Sequence, residues 1–184
     1  MSYGILFLRV VIGLIVAGHG AQKLFGSFGG HGPRGTAGFL GTLGFRAPLL
    51  MAFAAGTAEL GGGLLLAVGL LTPLAAVAIA VVMLNAIFSV HWRNGLWNAN
   101  GGYELNLAIW SVAVSIAAIG AGRFSLDRLY GWDDNISGLW WGVGVVAVSA
   151  AVSALTLTLG RRHAAPVTAL QHAGGDDAAR PQAA

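Results

Sequence analysis

Polar and apolar positions in this chain come in long blocks rather than alternating residue by residue. Five apolar runs stand out, roughly Gly4–Leu24, Pro48–Gly69, Thr72–Val90, Tyr103–Gly120 and Leu139–Leu159. Each is close to the ~20 residues of helix that cross a bilayer's hydrocarbon, and none shows the period of two expected of a barrel strand. The pattern predicts an all-α membrane protein with five spans. Gly69-Leu70-Leu71-Thr72-Pro73 reads as a tight turn with Pro73 in the first helical turn, so the second and third spans form an antiparallel hairpin. In the first loop, Gly26 to Ala47, the second half, Thr36–Phe45, sets Phe39, Leu40, Leu43 and Phe45 on one side, with Arg34 and Arg46 flanking it. That spacing predicts a short helix lying at the membrane interface. Beyond His163 an alanine-rich tail with Pro166, Gly174, Gly175 and Pro181 has too little to bury and is expected to be disordered.

Composition supports this picture. The 184 residues are 56% hydrophobic and only 9% charged, where soluble domains carry about a quarter. The 29 glycines suit helices that approach closely in lipid. A formal charge of +3 rests on few groups, and no basic stripe with interleaved aromatics exists, so no nucleic-acid partner is expected. The absence of cysteine excludes disulfides, iron–sulfur ligation and a thiol relay within the chain. The first residues lack a positive region and the first apolar run exceeds a signal-peptide core, which predicts no cleaved signal. Gly30-His31-Gly32-Pro33-Arg34-Gly35 formally matches GxGxxG, but no strand precedes it and Pro33 removes a donor. It reads as a flexible turn, not a dinucleotide site.

The informative residues are the polar ones set into apolar runs, because ionisable groups in lipid are costly and mark function by default. His19 and Lys23 are four residues apart on one helix face. With ~1.5 Å of rise per residue, His19 lies about 8 Å in from one side, and Glu59 and Asn85 roughly 15 Å in. Lys23, His91, Arg93, Glu104 and Asn106 fall at or near the rim on that same side. The arrangement resembles a funnel leading from a cationic rim to one buried carboxylate. An unpaired Glu59 anion is unfavourable there, so it is either protonated or paired, with His19 or Lys23 as partner and Asn85 as a hydrogen-bond donor. Ala54, Ala58 and Gly62 repeat every fourth position beside Glu59 and would admit a neighbouring helix. In the other leaflet Arg9 is expected to pair with Asp127 as a structural unit.

Plainer readings compete with a binding site. Glu59, His19 and Lys23 would also serve as a polar clamp between helices without any ligand. Lys23 would reach the headgroups by snorkelling, and Glu104 would serve the helix dipole alone. His91 and Arg93 read equally as rim residues, and His31, His163 and His172 as solvated ones. Haem is not expected, because no pair of histidines sits at equal depth on facing helices, and no metal-ligand constellation exists.

The chain resembles the DoxX family of small multi-pass membrane proteins. The resemblance is carried by Leu8-Arg9; by His19-Gly20, Lys23-Leu24-Phe25-Gly26; and by Glu59-Leu60-Gly61-Gly62-Gly63 running on to Gly69-Leu70-Leu71-Thr72-Pro73. Met83, Ala86, Asn94-Gly95-Leu96-Trp97, Gly102-Tyr103-Glu104 and Gly120 through Asp127 continue it, over about residues 4 to 130. It implies a four-helix transmembrane bundle over residues 1–130, to which 131–160 add a connecting loop and a fifth transmembrane helix, followed by the tail 161–184. It also implies a membrane subunit of an oxidoreductase system. Related DoxD-type proteins form part of a membrane thiosulfate:quinone oxidoreductase. On that basis Glu59 and His19 are the expected proton-handling pair. Lys23, Asn85, His91, Arg93, Glu104 and Asn106 are the expected substrate contacts, with quinone as a non-covalent cofactor and other subunits or a second copy as partners. A small-molecule or ion transporter and a non-catalytic assembly protein are the alternatives; no inverted repeat or broken helix pair argues for transport. Lys23, Arg34, Arg46, Arg93, Arg161 and Arg162 on one side outnumber Arg123 and Arg128 on the other. In a plasma (inner) membrane this puts the C-terminus in the cytoplasm.

Overall fold

A computed structural model describes residues 2–161; the expected disordered tail and Arg162 lie outside the described residues. Helix α1 (Ser2–Phe25) is followed by a short α2 (Gly32–Thr42), then α3 (Pro48–Val68) and α4 (Thr72–Ala86). Helix α4 runs on through a π-helical turn (Ile87–His91) and a 3₁₀ turn (Trp92–Asn94). Helix α5 (Glu104–Ile119), a single turn α6 (Leu126–Leu129) and α7 (Leu139–Leu159) complete the order. The chain is thus an all-α membrane protein with a C-terminal helix beyond the first bundle and a short helix in the first loop. Among the described residues four helices are long and apolar enough to cross a membrane: Ser2–Phe25, Pro48–Val68, Thr72–Asn94 and Leu139–Leu159. Helix α5 has 16 residues, about 24 Å, and falls short of the ~30 Å hydrocarbon thickness. The GxGxxG stretch is not a flexible turn throughout: Pro33 occupies the first turn of α2, a position where its missing N–H costs nothing.

The core lies where α1, α3, α4, α5 and α7 face one another, around Val16, Leu66, Ile79, Ile116 and Val145. Tyr3, Phe7, Leu50, Leu74, Leu139 and Leu155 point outward, as side chains facing lipid should. Helix α7 joins this core directly. Val145 is buried in it, the Ser153 hydroxyl donates to the Val81 carbonyl (3.3 Å), and Gly142 lies against Ala118.

Antiparallel α1 and α3 are the closest pair, joined along a glycine seam. A Cβ on Gly13 would stand 2.5 Å from the Gly63 carbonyl, and one on Gly63 would stand 2.5 Å from the Ala17 nitrogen. A Cβ on Gly20 would collide with the backbone at Leu60 and Gly56. Gly13 and Gly20 are seven apart, as are Gly56 and Gly63, so each pair stays on one helical stripe. The Ala54, Ala58, Gly62 repeat admits a neighbouring helix, as expected, only at Gly62. Gly62 packs on Ala75, Ala78 and Ile79 of α4, while Ala54 and Ala58 border a cavity.

At the opposite end, Arg9 and Asp127 are both buried in one corner, but they do not form the expected ion pair. The Arg9 guanidinium donates to the carbonyls of Ala121, Phe124 (2.7 Å) and Ala67 (3.4 Å). Asp127 commits both oxygens to the α3–α4 turn, accepting from the Leu71 N–H (2.7 Å), the Thr72 N–H (3.0 Å) and the Thr72 hydroxyl (2.6 Å). Its own N–H donates to the Gly69 carbonyl (2.8 Å). Leu71 sits at φ +48°, a left-handed conformation that costs a non-glycine residue about 1–3 kcal/mol unless its surroundings hold it. Asp127 is what holds it. Fixed backbone groups thus take the place of a direct contact between the two charges, although the Arg9 Nε finds no partner.

The seam is testable. Gly20→Ala is expected to lower stability by about 1–3 kcal/mol through overpacking, read as a lower unfolding midpoint in detergent micelles. Gly18→Ala, where an added Cβ meets nothing within 4 Å, is expected to leave the midpoint unchanged or raise it slightly.

Candidate functional site

The glycine seam determines what the buried carboxylate can reach. Glu59 is 3% exposed and sits on α3 beside the contact with α1. At Gly56 an added Cβ would come within 3.2 Å of the Lys23 Cβ, so the two backbones are near enough for the lysine to turn inward. The Lys23 ammonium pairs with Glu59 Oε2 while remaining 29% exposed. Lys23 therefore bridges the buried acid and the open space next to it rather than snorkelling away. His19, one turn earlier, faces the same space. Its Nδ1 lies 3.0 Å from Gln22 Oε1, and the Gln22 amide nitrogen donates to the Phe28 carbonyl (3.1 Å).

That space is a cavity of about 730 Å³, within the range typical of small-molecule sites. His19 and Lys23 border it from α1, Met51, Ala58 and Glu59 from α3, and Asn85, Ser89 and His91 from α4. Asn106 and Ile109 close it from α5, and Val152 and Thr156 from α7. Thr36, Phe39 and Leu40 of α2 complete the enclosure, so the short helix expected at the interface also walls the cavity. Its exit loop is fastened to the end of α7. Arg161 donates twice to the Leu43 carbonyl (3.1 and 2.9 Å) and stacks over the Phe45 ring, and the Arg46 N–H donates to the Gly160 carbonyl (2.8 Å).

The polar groups of α4 and α5 are only partly satisfied. Asn85 Oδ1 is buried with no partner, and among the described residues Glu59 bonds to Lys23 and not, as expected, to the Asn85 amide nitrogen. The Asn106 amide has only a weak contact with the Met83 sulfur (3.6 Å). His91 Nδ1 lies 2.7 Å from the Gly101 carbonyl, which also accepts from the Asn94 amide (3.1 Å). Two of the expected contacts lie elsewhere. Glu104 accepts from the Asn98 N–H (3.0 Å) and neither it nor Arg93 borders the cavity. The funnel is therefore less cationic than the rim residues suggested.

The model of the DoxX family matches residues 4–92. The protein "Putative oxidoreductase CatD" of Bacillus subtilis (strain 168) is 31% identical over 124 residues, covering 67% of this chain and 84% of CatD. The chain belongs to the DoxX family. No solved structure matches it. The part of the cavity within the DoxX match contains His19, Lys23, Glu59, Asn85 and His91; the α5 and α7 walls, with Asn106, Val152 and Thr156, lie beyond it.

In this DoxX chain sequence reasoning missed the π-helical turn at Ile87–His91. Such turns insert one extra residue and are frequent at functional sites, and the residues that follow are rotated by about one helical step, ~100°. Val90, four residues after Ala86, would border the cavity from an ordinary helix, whereas the rotation is what brings His91 round beside Asn85 and Ser89. The one available signal was Ser89, whose hydroxyl donates back to the Asn85 carbonyl (2.5 Å) and competes with the regular ladder.

A mutant cycle separates the pair's worth from the cost of breaking it. Glu59→Ala or Lys23→Ala alone is expected to lower stability by up to about 3 kcal/mol, more for the lysine variant, which strands the deeper charge. Lys23→Met combined with Glu59→Leu is expected to recover most of that loss in the same unfolding measurement.

Proposed function

We propose that this DoxX protein is a membrane subunit of a quinone- or sulfur-compound-linked oxidoreductase and that the cavity is its ligand site. The observation that carries the reading is the Lys23–Glu59 pair standing at the wall of a large, mostly apolar space beside His19. Apolar walls with a few convergent polar groups are the usual makeup of a small-molecule site. The name of CatD, the oxidoreductase relative, points the same way.

Between the two ligand chemistries the residues favour a quinone. An anion such as thiosulfate calls for unmatched positive charge, but Lys23 is matched by Glu59 and Arg93 lies off the cavity. Phe39, Leu40, Phe45 and Met51 suit an apolar ring and tail. A bound quinone supplies the two-electron, two-proton carrier chemistry. The chain supplies a polar wall in which Glu59 and His19 hold or release protons. The chain has no cysteine, so partner subunits carry the other redox centre, or a second copy adjoins this one. The surplus of Arg34, Arg46 and Arg93 over Arg123 and Arg128 supports a plasma (inner) membrane orientation with the C-terminus cytoplasmic.

Glu59→Gln is expected to leave the protein in the membrane while lowering quinone-linked turnover by about 100-fold or more. Turnover equal to wild type at equal abundance would sink the proposal. A C-terminal reporter fusion is expected to signal from the cytoplasm.

A further inference from the structure

Two histidines on the cavity wall are held in a defined tautomer by the groups behind them. A carbonyl oxygen can only accept, so His91 Nδ1, 2.7 Å from the Gly101 oxygen, carries the proton. In the neutral ring the lone pair is then on Nε2. The same holds for His19 by one more link. The Gln22 amide nitrogen donates to the Phe28 carbonyl, which turns Gln22 Oε1 towards His19 and makes His19 Nδ1 the donor. Neither Nε2 bonds to another described residue. Nor do these rings form part of a metal site, since no three metal-ligating side chains gather among the described residues.

The other polar groups at the cavity include donors as well as acceptors. Glu59 has one oxygen outside its contact with Lys23. Lys23 spends one of its three N–H donors on Glu59, and the Asn106 amide makes only its contact with the Met83 sulfur. Donors of this kind are met by either redox form of a quinone, because carbonyl and hydroxyl oxygens both accept, so the free ring nitrogens are what can tell the two forms apart. The carbonyl oxygens of an oxidised quinone only accept, whereas the hydroxyls of its reduced form donate. Resting on the quinone reading above, we infer that the cavity selects the reduced, dihydroxy-aromatic form of its ligand over the oxidised form, with His91 Nε2 as the selecting contact. The π turn is the positioning device: in an uninterrupted α-helix His91 would be rotated by about 100°, away from Asn85 and Ser89.

The test uses the full chain in nanodiscs and equilibrium dialysis, with empty nanodiscs correcting for partition into lipid. The probes are a short-chain benzoquinone and, under anaerobic reducing conditions, its hydroquinone. The hydroquinone is expected to bind at least about tenfold more tightly, the factor for one buried acceptor satisfied rather than left unpaired. His91→Asn can keep the hydrogen bond to Gly101 through its amide nitrogen but has nothing at the Nε2 position. It is expected to bring the two affinities together while the unfolding midpoint stays put. His91→Gln, which extends an amide oxygen towards that position, is expected to retain part of the preference. Equal affinities in the wild-type chain, or tighter binding of the oxidised form, would overturn the inference and leave the quinone reading standing. An unchanged preference in His91→Asn would overturn the assignment to His91. Binding of neither form would overturn both.

Discussion

Everything at the candidate site depends on one electrostatic constraint, a carboxylate held deep in a layer that has almost no water to solvate it. Such a group needs a counter-charge within contact distance, and a lysine on a neighbouring helix reaches that distance only if the two backbones nearly touch. The glycines at 13, 20, 56 and 63 provide the approach. The seam and the ion pair are thus one device: the small residues set the separation, and the separation makes Glu59 tolerable where a cavity can use it.

The far end of the bundle solves the same problem by another route. Arg9 and Asp127 are as deeply buried as Glu59, but each is surrounded by backbone donors or acceptors rather than by the other. A charge whose hydrogen bonds go mostly to fixed backbone groups has little left to offer a ligand. A charge paired through a single flexible lysine beside open space keeps an oxygen available. That difference is why the two buried clusters separate into a fastening and a candidate site, although their residue types are nearly the same.

Much of this was legible in the sequence. The apolar runs located the helices, and depth along them left His19 or Lys23 as the partner of Glu59. The α3–α4 turn was written in Gly69 to Pro73. What stayed hidden depended on helix phase and on the backbone. Small residues lie on several faces of α3, so a four-residue spacing could not tell the face that meets α1 from the face that meets α4. The π turn changed the direction of His91 without any glycine or proline to announce it. The partners of Arg9 and Asp127 are mostly main-chain atoms, which no side-chain pattern records. Glu104 and Arg93 were placed by position along the chain alone, and the loop carried them off the cavity.

The fastening between Arg161 and the loop after α2 bears on how the protein is made. Helix α2 emerges early in synthesis, whereas the arginine that holds its exit loop follows α7. Until that helix has entered the membrane, the wall formed by Thr36, Phe39 and Leu40 has no anchor at its far end. The wall contributed by Val152 and Thr156 does not yet exist. Closure of the cavity therefore waits for α7, and a chain in which α7 has not yet inserted would present its buried acid to whatever reaches it from the side.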